Sequence, residues 1–212
     1  MNTLHTLPNI IDYQTLKGAL VSYKSKRDKI SHLIKTGEIV RIKKGLYVLN
    51  ESYRRGNISL EHLSNLLYGP SYVSLEYALS YYGLIPEKVV TLTAVTTGRS
   101  REFKTPLGVF TYRNIALAPF SSGMEIIEFQ PEIRFMMASP EKALADFIQS
   151  QKGVPSQSIQ QYEQYLFENI RLDSGLLSSL SVRELKAFSE VYKSQKLSQL
   201  CKIIKRMQHQ GV

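Results

Sequence analysis

The first fifty residues constrain the fold more than any other segment of the sequence. Apolar residues recur with helical spacing over 12–20 and over 26–36, Asp12 is suited to cap the first helix, and Gly37 is a typical residue to follow the second. Two short runs rich in β-branched residues then flank Lys44-Gly45, a sequence suited to a tight turn. The segment therefore predicts two helices followed directly by a β-hairpin.

Positive charge is concentrated in the same segment. Residues 17–55 hold eleven basic and three acidic side chains, a net charge of +8, whereas the whole chain carries +9. Residues 56–180 carry a net charge of −3, and residues 181–212 a net charge of +5. A basic block beside a slightly acidic middle has the sign needed to contact phosphate. An exposed basic surface without a nucleic-acid ligand is the alternative.

Two helices and a hairpin with a basic tip form the outline of a winged helix-turn-helix, whose second helix enters the major groove of DNA. The hairpin, or wing, would reach the flanking backbone or the minor groove. Most contacts would be to phosphate, with Arg27 and His32 as candidates for base edges. A winged helix that binds only other proteins is the alternative. The predicted DNA-binding residues are Lys24, Ser25, Lys26, Arg27, Lys29, His32, Arg41, Lys43 and Lys44.

The remaining sequence predicts a second, mixed α/β domain, so the fold class is α+β with domains at 1–55 and 56–212. Ser74 and Ser139 are predicted to cap two of its helices, and Pro140 suits the first helical position. Residues 158–212 are predicted to be mainly helical. The other predicted helices cover 58–68, 74–82 and 139–149, and the predicted strands cover 89–95, 101–104, 109–115, 126–129 and 133–137.

The composition favours a soluble protein of the cell interior. No apolar run approaches the ~18 residues of a membrane span, and the N terminus has no secretion-signal pattern, so no membrane partner is predicted. Cys201 is the only cysteine, which excludes an intramolecular disulfide and suits a reducing cytoplasm. A cytoplasmic location is therefore predicted.

Catalytic and metal-binding patterns are weak, so neither an enzyme nor a cofactor is predicted. Ser139 and Lys142 match an S-x-x-K pattern, but the accompanying K-T-G lies upstream, at 35–37, and Ser139 is explained as a helix cap. The four histidines are scattered without ligand spacing. Five further cations are candidates for contact with an acidic partner or with nucleic acid: Arg99, Arg101, Lys202, Lys205 and Arg206. For the last three, the alternative is the outer face of amphipathic helices.

Three segments, in this order, resemble the AbiEi family, the antitoxins of type IV toxin–antitoxin systems that also act in abortive phage defence. The first is SKRDKISHLIKTGEIVRIKKGLYVL at 25–49. The second is YVSLEYALSYYGLIPE at 72–87, followed by TLTAVTTGRSREFKTPLGVFTYRNI at 91–115. The third is MASPEKALADFI at 137–148. Together they cover about half of the chain.

The resemblance implies an N-terminal domain that binds inverted repeats in its own promoter and represses the operon. It also implies a C-terminal domain that counters a cognate nucleotidyltransferase-like toxin, with which it need not form a stable complex. A monomer or a weak dimer would suit such a repressor. The alternative is a stand-alone winged-helix regulator whose second domain binds a ligand or dimerises.

Overall fold

The computed structural model describes residues 3–131 and 133–210 and has an α+β fold with two β-sheets. Its N-terminal part is a three-stranded antiparallel sheet with two helices, in which β3 lies between β1 and β2. After a 3-10 helix over Thr3–Thr6, the elements are β1 (Ile10–Asp12), α1 (Tyr13–Ala19), α2 (Lys26–Lys35), β2 (Ile39–Lys43) and β3 (Leu46–Leu49).

The helix boundaries predicted in this part are confirmed. Asp12 caps α1 by accepting a hydrogen bond from the backbone N of Thr15 at 2.9 Å, and this bond lowers the pKa of the Asp12 carboxyl. Ser25 caps α2 by accepting one from the backbone N of Asp28 at 3.4 Å. Gly37 follows α2 with φ of +74°, a conformation that glycine adopts without steric cost.

The central strand of the N-terminal sheet, β3, is buried on both faces. Tyr47 and Leu49 of β3 pack with residues of α1 and α2 in one hydrophobic cluster. Leu46 and Val48 of the same strand belong to a second, larger cluster that extends through the rest of the chain. Residues on both sides of the boundary predicted at 55 therefore share a hydrophobic core.

The second part is built on a six-stranded mixed sheet with the strand order β6-β7-β5-β4-β9-β8. Each predicted strand is present, although β5 begins at Leu92 rather than at residue 89. The strands are β4 (Ser71–Val73), β5 (Leu92–Thr96), β6 (Arg101–Thr105), β7 (Gly108–Asn114), β8 (Met124–Gln130) and β9 (Ile133–Ala138). A 3-10 helix (Glu51–Tyr53) and the helices α3 (Leu60–Leu67), α4 (Leu75–Tyr81), α5 (Leu117–Phe120) and α6 (Pro140–Ser150) precede, connect or follow them.

Helices cover both faces of this sheet. Tyr112 of β7 points to one face, where its hydroxyl donates to the carbonyl oxygen of Ser64 in α3 at 2.8 Å. Tyr72 of β4 points to the other face, where its hydroxyl donates to Asp146 in α6 at 3.1 Å. The strand registers place these two tyrosines on opposite faces, since side chains alternate along a strand. The layers are therefore α3, the sheet, and α6.

The C-terminal part is helical, as predicted. It consists of α7 (Ile159–Gln164), a π-helical turn (Tyr165–Asn169), α8 (Ser174–Ser179), α9 (Val182–Tyr192) and α10 (Gln195–Gln210). Both α9 and α10 pack against α6, and Cys201 of α10 is buried in the same core. Over the described residues, no helix has the length and apolar character needed to cross a membrane.

An ion pair is completely buried on α6. Lys142 and Asp146 lie one helical turn apart with side chains 0% exposed, and the ammonium donates to the carboxylate. The hydroxyls of Tyr72, Ser74 and Tyr192 also donate to the carboxylate. Burial lowers the pKa of the Lys142 ammonium, and the Asp146 carboxylate partly opposes this. Four donors thus compensate the buried negative charge.

The prediction that Ser74 caps α4 is wrong. Its hydroxyl makes no cap bond and donates to Asp146 at 2.7 Å. Thr93 of β5 caps the start of α4 instead. Its Oγ1 accepts a hydrogen bond from the backbone N of Tyr77 at 3.0 Å and donates one to the Ser74 carbonyl oxygen at 2.7 Å. The Ser74 hydroxyl binds the buried Asp146 carboxylate rather than the helix backbone. An uncompensated buried charge costs more free energy than a missing side-chain cap.

Removing one member of the buried ion pair should destabilise the protein more than removing both. Asp146→Leu leaves the Lys142 ammonium buried without its counter-charge, and the expected loss is about 3–5 kcal/mol in the free energy of unfolding. The double variant Lys142→Met/Asp146→Leu has no buried charge and should be more stable than the single variant. Urea unfolding measures both, and a double variant that is less stable than Asp146→Leu would contradict this role for the pair.

The backbone at Gly123 should not tolerate a side chain. A Cβ there would lie 2.4 Å from Cζ of Phe188 and 2.9 Å from Cβ of Lys142. Gly153 is a matched control, because its φ of +69° is close to the +73° of Gly123 and a Cβ would meet no atom within 4 Å. Gly123→Ala should cost about 1–3 kcal/mol more than Gly153→Ala by urea unfolding, from steric overlap alone. Equal destabilisation by the two changes would show that Phe188 does not constrain this position.

Candidate nucleic-acid interface

A basic cleft lies between α2 and the hairpin formed by β2 and β3. It has a volume of about 730 Å³, and three of its nine lining residues are cations while none of the nine is acidic. The cations come from three places in the fold: α2, β2 and the hairpin turn. The lining residues are Tyr13, Arg27, Ile30, Ser31, Ile34, Arg41, Lys44, Gly45 and Tyr47.

On α2, the structure brings Arg27 into the cleft together with Ser31, one helical turn later. The Ser31 hydroxyl donates to the Arg27 carbonyl oxygen at 3.0 Å. Sequence reasoning missed Ser31, although its spacing of four residues from Arg27 placed both on one helical face. His32 is exposed next to Ser31 but does not line the cleft.

The other residues predicted on this helix surround its first turn. Lys24 is exposed, and the Ser25 hydroxyl is occupied by the helix cap. Lys26 is half-buried, and Nζ of Lys29 lies 5.2 Å from the centroid of the Tyr23 ring, a cation–π contact. These four residues flank the cleft rather than line it.

In the β2–β3 hairpin, an irregularity of β2 turns Lys43 away from the cleft. Arg41 pairs with Tyr47, and Lys43 pairs with the residue adjacent to Tyr47 in β3, Leu46. Ile42, between them, therefore has no partner of its own and is an extra residue in β2. Regular alternation would place Arg41 and Lys43 on the same face of the hairpin. The extra residue sends Lys43 to the opposite face, and only Arg41 and Lys44 of the predicted wing cations line the cleft.

The Lys43 ammonium lies against the C-terminal end of α3. It donates to the carbonyl oxygen of Leu66 at 3.4 Å and to that of Leu67. The last carbonyls of a helix have no partner within it and carry its negative dipole end, so a cation is favourable there. Burial lowers the pKa of the Lys43 ammonium. The prediction that Lys43 contacts DNA therefore conflicts with the place of its side chain in this structure.

Two more cations of the basic block bind backbone carbonyls within residues 1–55. Nε of Arg54 donates to the carbonyl oxygen of Leu49 at 2.6 Å. A terminal nitrogen of Arg55 donates to the carbonyl oxygen of His5 at 2.5 Å. The net charge of residues 17–55 thus includes Arg54 and Arg55, whose side chains bind backbone carbonyls within the fold.

The five cations predicted to contact an acidic partner fall into two groups. Arg99 and Arg101 lie at the edge of the six-stranded sheet, where the Arg101 guanidinium is 5.5 Å from the centroid of the Tyr68 ring. Lys202, Lys205 and Arg206 lie on α10, where Arg206 pairs with Glu163 of α7.

A second cleft, of about 520 Å³, lies against α5, α6 and α9. Asp146 and Tyr192 form part of its wall, and both belong to the buried ion-pair network. Arg113 is its cation and donates to Glu76 at 3.1 Å and to Ser150 at 2.7 Å. Sequence reasoning missed this cleft, because its residues come from distant segments. The lining residues are Leu75, Ser100, Arg113, Asn114, Ile115, Ala116, Pro119, Asp146, Gln149, Ser150, Val191 and Tyr192.

No metal centre accompanies either cleft: across residues 3–131 and 133–210, no three His, Cys, Asp or Glu side chains are grouped to hold an ion. Comparison with models of protein families gives no match, and no curated protein matches the sequence significantly. A DNA-binding role for the N-terminal part is therefore argued from the geometry of the basic cleft.

Proposed function

We propose that this protein binds double-stranded DNA through its N-terminal part and represses its own promoter. The observation that carries the proposal is the convergence of Arg27, Arg41 and Lys44 on one cleft from three separate elements. In this proposal the N-terminal part is a winged helix-turn-helix, with α2 as the recognition helix and the β2–β3 hairpin as the wing.

The dimensions and surface of α2 support a place in the major groove. An α-helix with its side chains is about 10–12 Å across, which matches the width of the major groove, about 12 Å. The ten residues of α2 extend about 15 Å along such a groove at 1.5 Å per residue. Ile30 and Leu33 hold its inner face in the N-terminal core. Arg27 is exposed at the cleft and His32 is exposed beside it, so the helix can present both side chains to a duplex without unfolding.

The wing supplies cations toward the same cleft. Arg41 lies in β2 and Lys44 in the turn, and both side chains are exposed. A duplex backbone that follows the cleft would meet these two cations and Arg27 in succession. Such contacts neutralise phosphates and position the protein on the duplex without reading its sequence.

The proposal extends to an antitoxin role for the second part, on the strength of the AbiEi-like segments. In that role, it counters a nucleotidyltransferase-like toxin encoded next to this gene, without requiring a stable complex. The exposed cations Arg99, Arg101, Lys202 and Lys205 are the candidates for contact with an acidic surface of that partner.

A second candidate function is a stand-alone regulator whose second part binds a small ligand. The cleft of about 520 Å³ beside Asp146 favours it, because small-molecule sites are concave and combine apolar walls with a few polar groups. A toxin gene beside this one would favour the antitoxin, and its absence would favour the regulator.

Replacing the three cleft cations should weaken DNA binding in a salt-dependent way. The triple variant Arg27→Ala/Arg41→Ala/Lys44→Ala can no longer neutralise up to three phosphates. The plot of log Kobs against log salt should therefore flatten by about one unit for each of these phosphates. The measurement is a fluorescence-anisotropy titration of a duplex from upstream of the gene, at several salt concentrations, beside a random duplex of equal length.

The matched control removes the same number of positive charges elsewhere. Lys88, Arg183 and Lys186 are exposed and lie outside the N-terminal part. Their triple alanine variant should keep the slope of the wild type. If its slope flattens as much as that of the cleft variant, total charge rather than the cleft governs binding. Autorepression is wrong if the wild type prefers its own upstream duplex no more than the random one.

Protection against a toxin should survive the removal of DNA binding. Cells that express the neighbouring nucleotidyltransferase-like protein should grow again when the wild-type chain is co-expressed from an unrelated promoter. The variant Arg27→Ala/Arg41→Ala/Lys44→Ala should protect equally well, because the antitoxin role is assigned to the second part. Growth that neither chain restores would leave the regulator as the better proposal.

A further inference from the structure

Lys43 is a wing cation that does not face the basic cleft. Its side chain leaves the hairpin on the side opposite to Arg41 and ends at the carbonyls of Leu66 and Leu67. Lys43 thus joins the tip of the wing to a helix of the second part. Its neighbours in the hairpin, Ile42 and Leu46, are buried in the core that both parts share.

Helix α3 is a firm support for such a contact, because other elements hold it at several points. Near its start, Nδ1 of His62 donates to the Arg134 carbonyl oxygen at 2.6 Å. In its middle, the Tyr112 hydroxyl donates to the Ser64 carbonyl oxygen. Oδ1 of Asn65 accepts from the backbone N of Met136 at 2.6 Å. A group bound to the last turn of α3 is therefore held in place relative to the six-stranded sheet.

The basic cleft needs a fixed wing. Its cations come from α2 on one side and from the hairpin on the other, so the hairpin angle decides whether both sides reach the same duplex. Buried apolar residues, Ile42 and Leu46 among them, hold the hairpin up to its turn, but apolar contacts are not directional. The ammonium of Lys43 adds directional bonds next to the turn that carries Lys44.

We propose that Lys43 is a positioning residue, which fixes the wing against α3 so that Arg41 and Lys44 face the same DNA as Arg27. This inference rests on the proposed function, because Lys43 can position the wing for DNA only if the wing binds DNA. It assigns to Lys43 an effect on affinity without a contact to phosphate.

The test is a double-mutant cycle with the adjacent lysine. Lys43→Met keeps the apolar stem and removes the ammonium, and Lys44→Met is the matched change on the side that faces the cleft. In the wild-type background, Lys44→Met should weaken binding to the upstream duplex about fivefold to tenfold at 0.1 M salt, the effect of one phosphate contact. In the Lys43→Met background it should weaken binding only about twofold, because a displaced wing no longer presents Lys44.

Additive effects of the two changes would overturn the proposal, because independent phosphate contacts or simple destabilisation by Lys43→Met do not change what Lys44 contributes. Binding by Lys43→Met that equals the wild type would overturn it as well. Urea unfolding establishes that each variant is folded under the binding conditions.

Hydrogen exchange of the free protein separates this inference from the proposed function. Lys43→Met should speed amide exchange in the β2–β3 hairpin and in the last turn of α3, while α2 keeps its protection. Unchanged exchange in the hairpin would overturn the positioning role even if the wild type binds DNA. If the wild type prefers the upstream duplex no more than the random one, autorepression is refuted. Faster amide exchange in the hairpin of Lys43→Met would in that case still show that Lys43 holds the wing.

Discussion

The arrangement of the two parts depends on β3, a strand of four residues that is buried on both faces. Tyr47 and Leu49 complete the small core under α1 and α2, and Leu46 and Val48 enter the large core of the second part. One short strand therefore belongs to both cores, and the hairpin that carries the basic cleft is also a wall of the second part. The large core orients the hairpin through this strand, and Lys43 adds polar bonds from the hairpin to α3 of the second part.

The second part is organised around a different constraint, the buried charge of Asp146. A carboxylate without water needs several donors, and these come from β4, from the start of α4, from α6 itself and from α9. The ion pair thus joins the sheet to the helices that cover it. The same demand explains why Ser74 does not cap α4 and why Tyr192 lies at the wall of the second cleft. The bond to Asp146 fixes the position of the Tyr192 side chain, although Tyr192 also borders the second cleft.

Local signals predicted most elements because their physical causes are local. The predicted Asp12 and Ser139 caps each bond to a backbone amide three residues later, so sequence spacing contains the whole interaction. The direction of the Lys43 side chain could not be predicted from such local patterns. Its residue type and its place at the tip of a basic hairpin favoured a DNA contact, but one extra residue in β2 reversed the direction of its side chain. The register that creates this bulge depends on β3, which is held by packing on both sides.

The sequence by itself determined the α+β class, most of the helices and strands and the concentration of positive charge in residues 17–55, because periodicity, capping and charge are properties of neighbouring residues. Tertiary structure alone decided which cations converge on a cleft, which are engaged in holding the fold, and which buried charge orders the second part. Those outcomes depend on contacts between residues that lie far apart in the chain, such as Lys43 with Leu67 or Tyr72 with Asp146. Such contacts form only when distant segments of the chain pack together, and no local pattern in the sequence encodes their geometry.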